Sequence, residues 1–162
     1  MSAELILGID PGTAITGYGV VAKEGGGAVS LVECGVVRTS SGKDLAVRIR
    51  EIYEAVTTLI TRHAPSVVVV EGVFQGKNVQ SALKLGHARG AILLAAALSE
   101  IPIAEYSPRE IKKAVVGNGN ATKDQVGFMV QQQLRLKAPP SPADAADGVA
   151  AALCHCVMGA FR

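Results

Sequence analysis

Ser66-Val67-Val68-Val69-Val70-Glu71 decides the fold. Four successive valines leave no polar side chain for either face of a strand. Such a run is a strand covered on both sides, as parallel strands are inside an α/β sheet. Working outward, the segment before it, Asp44 to Arg62, carries Leu45, Ile49, Ile52, Val56 and Leu59 at spacings of four, three, four and three. That is one apolar stripe of a helix. After it, Gly72 to Lys77 reads as a loop, Val79 to Ser99 as a long helix and Pro102 to Tyr106 as a short strand.

The same reading extends to both ends. Leu5 to Asp10 is a short apolar run that stops at Asp10-Pro11-Gly12, a turn signal. Thr16 to Ala22, with Gly17 and Gly19 interleaved, and Val29 to Arg38 are two further strands, joined through Glu24-Gly25-Gly26-Gly27. These three strands are expected to form an antiparallel meander. Toward the C-terminus three helix starts are legible. Ser107-Pro108-Arg109-Glu110 and Thr122-Lys123-Asp124-Gln125 are capping boxes, and Ser141-Pro142-Ala143-Asp144 opens the last helix with Asp144 as its third helical residue. The order βββαβαβ followed by helices predicts an α/β fold: a five-stranded mixed sheet, three strands antiparallel and two parallel, with helices on both faces.

Bulk properties narrow the function classes. A length of 162 residues suits one domain spanning 1–162. A hydrophobic content of 49% argues against disorder. Aromatic residues make up only 4%, so the core is aliphatic. A net charge of +2 permits nucleic-acid binding without arguing for it; any basic footprint must be local. The apolar stretch Ala91 to Leu98 is too short to span a bilayer. No signal peptide is visible. Cys34, Cys154 and Cys156 are odd in number and suggest no disulfide framework. Cys154-His155-Cys156 does not read as a zinc motif, because positions two apart do not share a helix face and no second ligand pair follows. A protein of a reducing cytoplasm, with no membrane partner, is the expectation.

Four carboxylates stand where chemistry collects. Asp10 and Glu71 each end a strand, and ligands of α/β sheets gather beyond the carboxyl ends of strands. If those strands are parallel neighbours, the two acids lie side by side. Asp144 and Asp147, three apart, share a helix face. Each acid also has a plainer reading. Asp10 before Pro-Gly serves a turn, and Asp144 suits a helix start. Glu71 after a doubly buried strand and Asp147 in an otherwise apolar helix are harder to explain that way, because burying an unpaired carboxylate is expensive. Two like charges about 4 Å apart repel by about 4 kcal/mol at an effective dielectric of 20. Protons or cations must neutralise the cluster, and an all-oxygen site suits Mg²⁺ or Mn²⁺. Two such ions supply the means to cleave a phosphodiester.

Gly8-Ile-Asp10-Pro-Gly12, Glu71-Gly-Val-Phe74, Lys77-Asn78, Ser81-Ala-Leu-Lys-Leu-Gly86, Ala88-Arg-Gly90, Val115-Val-Gly117 and Ala143-Asp144-Ala-Ala-Asp147 follow one another in order. As a spaced set they resemble the RuvC family of Holliday-junction resolvases, over about Leu5 to Met158. The resemblance implies a ribonuclease-H-like fold. It also implies a homodimer that resolves four-way DNA junctions by paired, metal-dependent nicks. Asp10, Glu71, Asp144 and Asp147 match the family's catalytic, metal-holding acids, with two Mg²⁺ per site and Mn²⁺ able to substitute. Phe74 matches its junction-contacting aromatic, and Lys112 and Lys123 match its basic positions. The resemblance further implies docking on the branch-migration complex RuvA–RuvB. Two departures stand out: Gly72 follows the strand acid where some members carry a larger polar residue, and Asp144 keeps a carboxylate where some carry His.

Two basic groups flank the acids in sequence: Lys77, Lys84, His87 and Arg89, then Arg109, Lys112, Lys113 and Lys123. The first group's Lys77, Lys84 and Arg89 are candidate phosphate contacts beside Lys112 and Lys123; a solvated charged face is the plainer alternative. Ala82, Gly86 and Gly90 form a stripe of small residues along the long helix. Glycine within a helix costs roughly 1 kcal/mol relative to alanine, so another backbone is expected close by: this chain's own sheet or, as the resemblance implies, a partner's helix. Two other function classes fit parts of the sequence. Gly-Ile-Asp-Pro-Gly also opens actin-like nucleotide-binding domains, but no internal repeat exists here. A non-catalytic DNA-structure-binding module accounts for the basic residues and leaves Glu71 and Asp147 without a role.

Overall fold

The computed structural model describes residues 2–72 and 78–159. Five strands, β1 (Glu4–Asp10), β2 (Ile15–Lys23), β3 (Val29–Arg38), β4 (Val67–Glu71) and β5 (Ile103–Tyr106), form one sheet in the order β3-β2-β1-β4-β5. The first three pair antiparallel; β1 with β4 and β4 with β5 are parallel. The valine run lies at the inner position its composition predicts, with Val68, Val69 and Val70 fully buried.

Strand periodicity divides the core in two. Leu7, Ile9, Val20, Val68 and Val70 face α1 (Leu45–His63) and α2 (Val79–Leu98). Ile6, Val21, Val67, Val69 and Tyr106 face α3 (Pro108–Val116), α4 (Lys123–Gln133) and α5 (Ala143–Met158). The helices thus cover both faces, as the element order predicts.

Most boundaries fall within a residue of expectation. Ser107 with Glu110 and Thr122 with Gln125 make complete capping boxes. The start of α5 differs. Pro142 occupies the N-cap, no side chain caps the helix, and Asp144 is the second helical residue. Asp144 is therefore not used up in a cap. Among the described residues, no helix is long and apolar enough to cross a membrane, and Cys34, Cys154 and Cys156 form no disulfide.

α5 lies unusually close to β1 and β2, because glycine lines both sides of the contact. A Cβ on Gly8 would stand 2.3 Å from the Gly148 carbonyl oxygen, and one on Gly17 would stand 1.7 Å from that of Asp144. A Cβ on Gly148 would stand 2.5 Å from the Tyr18 Cα. Only hydrogen fits at these positions.

Candidate metal centre

Alternation along the strands sets the direction of the first two acids. Asp10 lies two and four residues from Gly8 and Ile6, so it faces α5. Glu71 stands in the same relation to Val69 and Val67. The parallel register pairs Ile9 with Val70, which brings the next residues, Asp10 and Glu71, side by side at the carboxyl edge. The glycine contact then lowers the first turn of α5 onto this edge, with the Asp144 backbone above Gly17, the residue paired with Asp10. Asp144 and Asp147 share the helix face that arrives there.

The result is a cluster of acids. Asp10, Asp144 and Asp147 each present a carboxylate oxygen, and the three oxygens lie within 4.8 Å of one another. Asp10 also lies against Glu71, and a hydrogen bond between the two side chains favours the protonated form of Asp10. Burial, that hydrogen bond and the Glu71 charge together push Asp10 up to about 9. Burial and the Asp10 charge likewise raise Asp147, although Lys123 pulls it down.

Lys123 stands at the rim of this cluster. Its Nζ lies 3.1 Å from Asp147 Oδ2 and 3.6 Å from Asp144 Oδ1, and these contacts hold the ammonium above its ordinary range. The sequence marked Lys123 as basic and near DNA; it did not reveal that the first residue of α4 reaches the acids.

The donor set fits a hard divalent cation. All donors are carboxylate oxygens, the ligand type that hard divalent cations such as Mg²⁺ take. The turn that follows Asp10 is itself tied down: the Thr16 hydroxyl accepts from the Gly12 N–H at 3.2 Å and donates to the Gly12 carbonyl at 2.8 Å.

The remaining candidates are spread out. Lys112 is half-buried on α3, and Lys84 is exposed on α2. Arg89 of α2 is ion-paired with Glu105 of β5, on the sheet face opposite the acids. Arg109 donates to Asn120 Oδ1 across the loop between α3 and α4. Phe74 and Lys77 lie outside the described residues. Gly86 and Gly90 are exposed, and a Cβ on either would meet nothing within 4 Å. Packing on the chain's own sheet therefore does not explain them. Ala82 is half-buried beside them. Val79, Leu83, Leu94 and Leu98 are exposed on the same helix, and an open groove of about 740 Å³ runs past Gly90, Leu94 and Ile103.

The close-packing glycines are what the sequence reading passed over. Gly17 and Gly19 were visible within a strand, where glycine signals close backbone approach. Both meet the start of α5: a Cβ on Gly17 would strike the Asp144 carbonyl, and one on Gly19 would strike Val149, two residues past Asp147.

Residues 6–155 match the family model for the crossover junction endodeoxyribonuclease RuvC. A protein of that name from Chlorobium phaeovibrioides is 49% identical over 150 residues, 93% of this chain and 79% of the relative. One from Protochlamydia amoebophila is 51% identical over 154 residues, 95% of this chain and 91% of the relative. The Thermus thermophilus RuvC structure superposes with a TM-score of 0.88 at 36% identity, covering 97% of this chain and 96% of that one. The T. thermophilus protein is also known in complex with a Holliday junction substrate, again with a TM-score of 0.88, at 34% identity and the same coverage.

Proposed function

The chain belongs to the RuvC family of crossover junction endodeoxyribonucleases, and from that premise we propose that Asp10, Glu71, Asp144 and Asp147 are its catalytic, metal-holding acids. Its activity is the resolution of Holliday junctions by cutting DNA. The observation that carries the site assignment is the convergence of three carboxylate oxygens within 4.8 Å, with Glu71 hydrogen-bonded to one of them.

Mg²⁺ is the natural occupant, two ions per site, with Mn²⁺ able to substitute. Bound there, the ions supply activation of the attacking water and stabilisation of the leaving oxygen. This chain's own residues do the rest. A proton held by Asp10 would be released on metal binding, because a ligating carboxylate is deprotonated. Lys123 balances Asp144 and Asp147 and is placed to meet a phosphate drawn into the site. Lys112 and Lys84 supply phosphate contacts at a distance from the chemistry; Phe74 is assigned to the junction by family position, and Lys77 to phosphate by its place among the basic residues of the sequence. Arg89 supports its helix through Glu105, which makes it the weakest of the assigned DNA contacts.

The acting unit is a homodimer. Exposed apolar residues and unpacked glycines share one surface of α2, the mark of an interface that another copy covers. Ala82, Gly86 and Gly90 let two such helices approach. A two-fold dimer presents two acid clusters to the two equivalent strands of a junction. The chain works as a single domain in the cytoplasm, with RuvA–RuvB as its branch-migration partner. The test is incubation with a synthetic four-way junction and Mg²⁺ beside a linear duplex. Paired nicks in the junction alone are expected; equal cutting of the duplex would overturn structure selectivity.

A further inference from the structure

Asp10 is the last residue of β1, so its position depends on the turn at residues 11–14 as much as on the strand. That turn is fastened from outside. Arg48 of α1 donates from Nη2 to the Thr13 carbonyl at 3.0 Å and from Nε to the Thr39 hydroxyl at 3.2 Å. The Thr39 hydroxyl donates to the same Thr13 carbonyl. The Thr39 backbone N–H donates to the Ala14 carbonyl at 3.0 Å. One guanidinium thereby joins α1, the residue just past β3 and the Asp10 turn. Leu45, Ile49 and Ile52 of α1 and Ala88 of α2 pack around the joint.

Arg48 has no carboxylate partner among the ion pairs of the described residues. Its charge-assisted hydrogen bonds go to neutral acceptors on two different segments. A planar fork can serve both at fixed angles, whereas an ammonium on a flexible stem cannot. The group is built for geometry, and the geometry it sets is that of the turn leaving Asp10.

We propose that Arg48 is a positioning residue for the metal centre: by fastening Thr13 to Thr39 it fixes the turn behind Asp10, and with it the pose in which the Asp10 carboxylate meets a divalent cation. This rests on Asp10 being a ligand. Partners that orient a ligand typically change metal affinity or activity by about 10–100-fold when removed. A direct contact of Arg48 with DNA phosphate, beside Lys84 at the same joint, is the rival use.

The experiment measures Mn²⁺ affinity by calorimetry without DNA, then kcat, KM and salt dependence on a four-way junction with Mg²⁺. The variants are Arg48→Gln, Arg48→Lys, Thr39→Val and Asp10→Asn. Arg48→Gln is expected to weaken Mn²⁺ binding about tenfold or more and to lower kcat with KM unchanged. Arg48→Lys does not rescue it, and Thr39→Val shifts both quantities the same way by less. Unchanged Mn²⁺ affinity in Arg48→Gln and Thr39→Val, with Asp10→Asn impaired, overturns the positioning role alone. Full rescue by lysine, with the loss confined to KM and salt slope, overturns it in favour of a phosphate contact. If Arg48→Gln fails to fold, Thr39→Val decides by the same readouts. Wild-type Mn²⁺ affinity in Asp10→Asn removes the ligand reading, and the proposal with it.

Discussion

Asp10→Asn should abolish cleavage and at the same time stabilise the protein in the absence of divalent cations. Asp10 is held at about 9 in the folded chain against 3.8 as its ordinary value. The folded state therefore binds more protons than the unfolded state throughout that window, and stability falls as pH rises through it. The asparagine amide can donate to Glu71 as the shared proton does, without a charge. At pH 8 the wild type must either hold that proton or lose it against Glu71, where one carboxylate contact at about 4 Å costs about 4 kcal/mol of repulsion at an effective dielectric of 20. Lys123, 3.1 Å from Asp147, offsets part of the cluster's charge. We therefore expect a net gain of about 2 kcal/mol at pH 8, or roughly 4–8 °C in Tm at this chain length. Thermal melts in EDTA at pH 5, 7 and 9 read this directly. The gap between variant and wild type should widen with pH, and Mg²⁺ should close it by stabilising only the wild type. A variant less stable than wild type at pH 8, or a gap independent of pH, refutes the electrostatic reasoning.

Gly17→Val should push the first turn of α5 off the sheet. Overpacking of this kind costs about 1–3 kcal/mol, so circular dichroism should still report a folded protein while Mn²⁺ binding is lost; retained binding counts against the glycine contact as the device that places Asp144 and Asp147. Lys112→Ala should lower the salt slope of junction binding by about one unit, and an unchanged slope returns it to a solvated face. Gly86→Leu should shift the sedimentation profile toward monomer, and an undisturbed dimer shows that this helix is not the interface.

The framework of the fold was legible because its signals are local. Four valines, one helical stripe and two capping boxes each determine their own segment, and the ends of β1 and β4 already put Asp10 and Glu71 at one edge once the strands were read as parallel neighbours. Contacts between distant segments were harder to read. Gly8 and Gly148 meet although they are 140 residues apart by number, and nothing in either segment names the other. Ser141 resembled a helix cap because it precedes Pro142, yet the helix begins one residue later and leaves Asp144 free for the cluster. Lys123 read as one of several basic residues for DNA contact, not as a neighbour of the acids, because only the tertiary placement of α4 carries it to Asp144 and Asp147. Arg48 gave no signal at all: an arginine on a helix reads as solvated until Thr13 and Thr39 are seen beside it.

The most direct test of the account is a crystal grown with Mn²⁺ and measured for anomalous scattering. The account predicts peaks enclosed by Asp10, Glu71, Asp144 and Asp147, with carboxylate oxygens at about 2.0–2.6 Å and Lys123 displaced or retained at the rim. A cluster that stays without a peak at millimolar Mn²⁺, in protein that still cuts junctions, contradicts it.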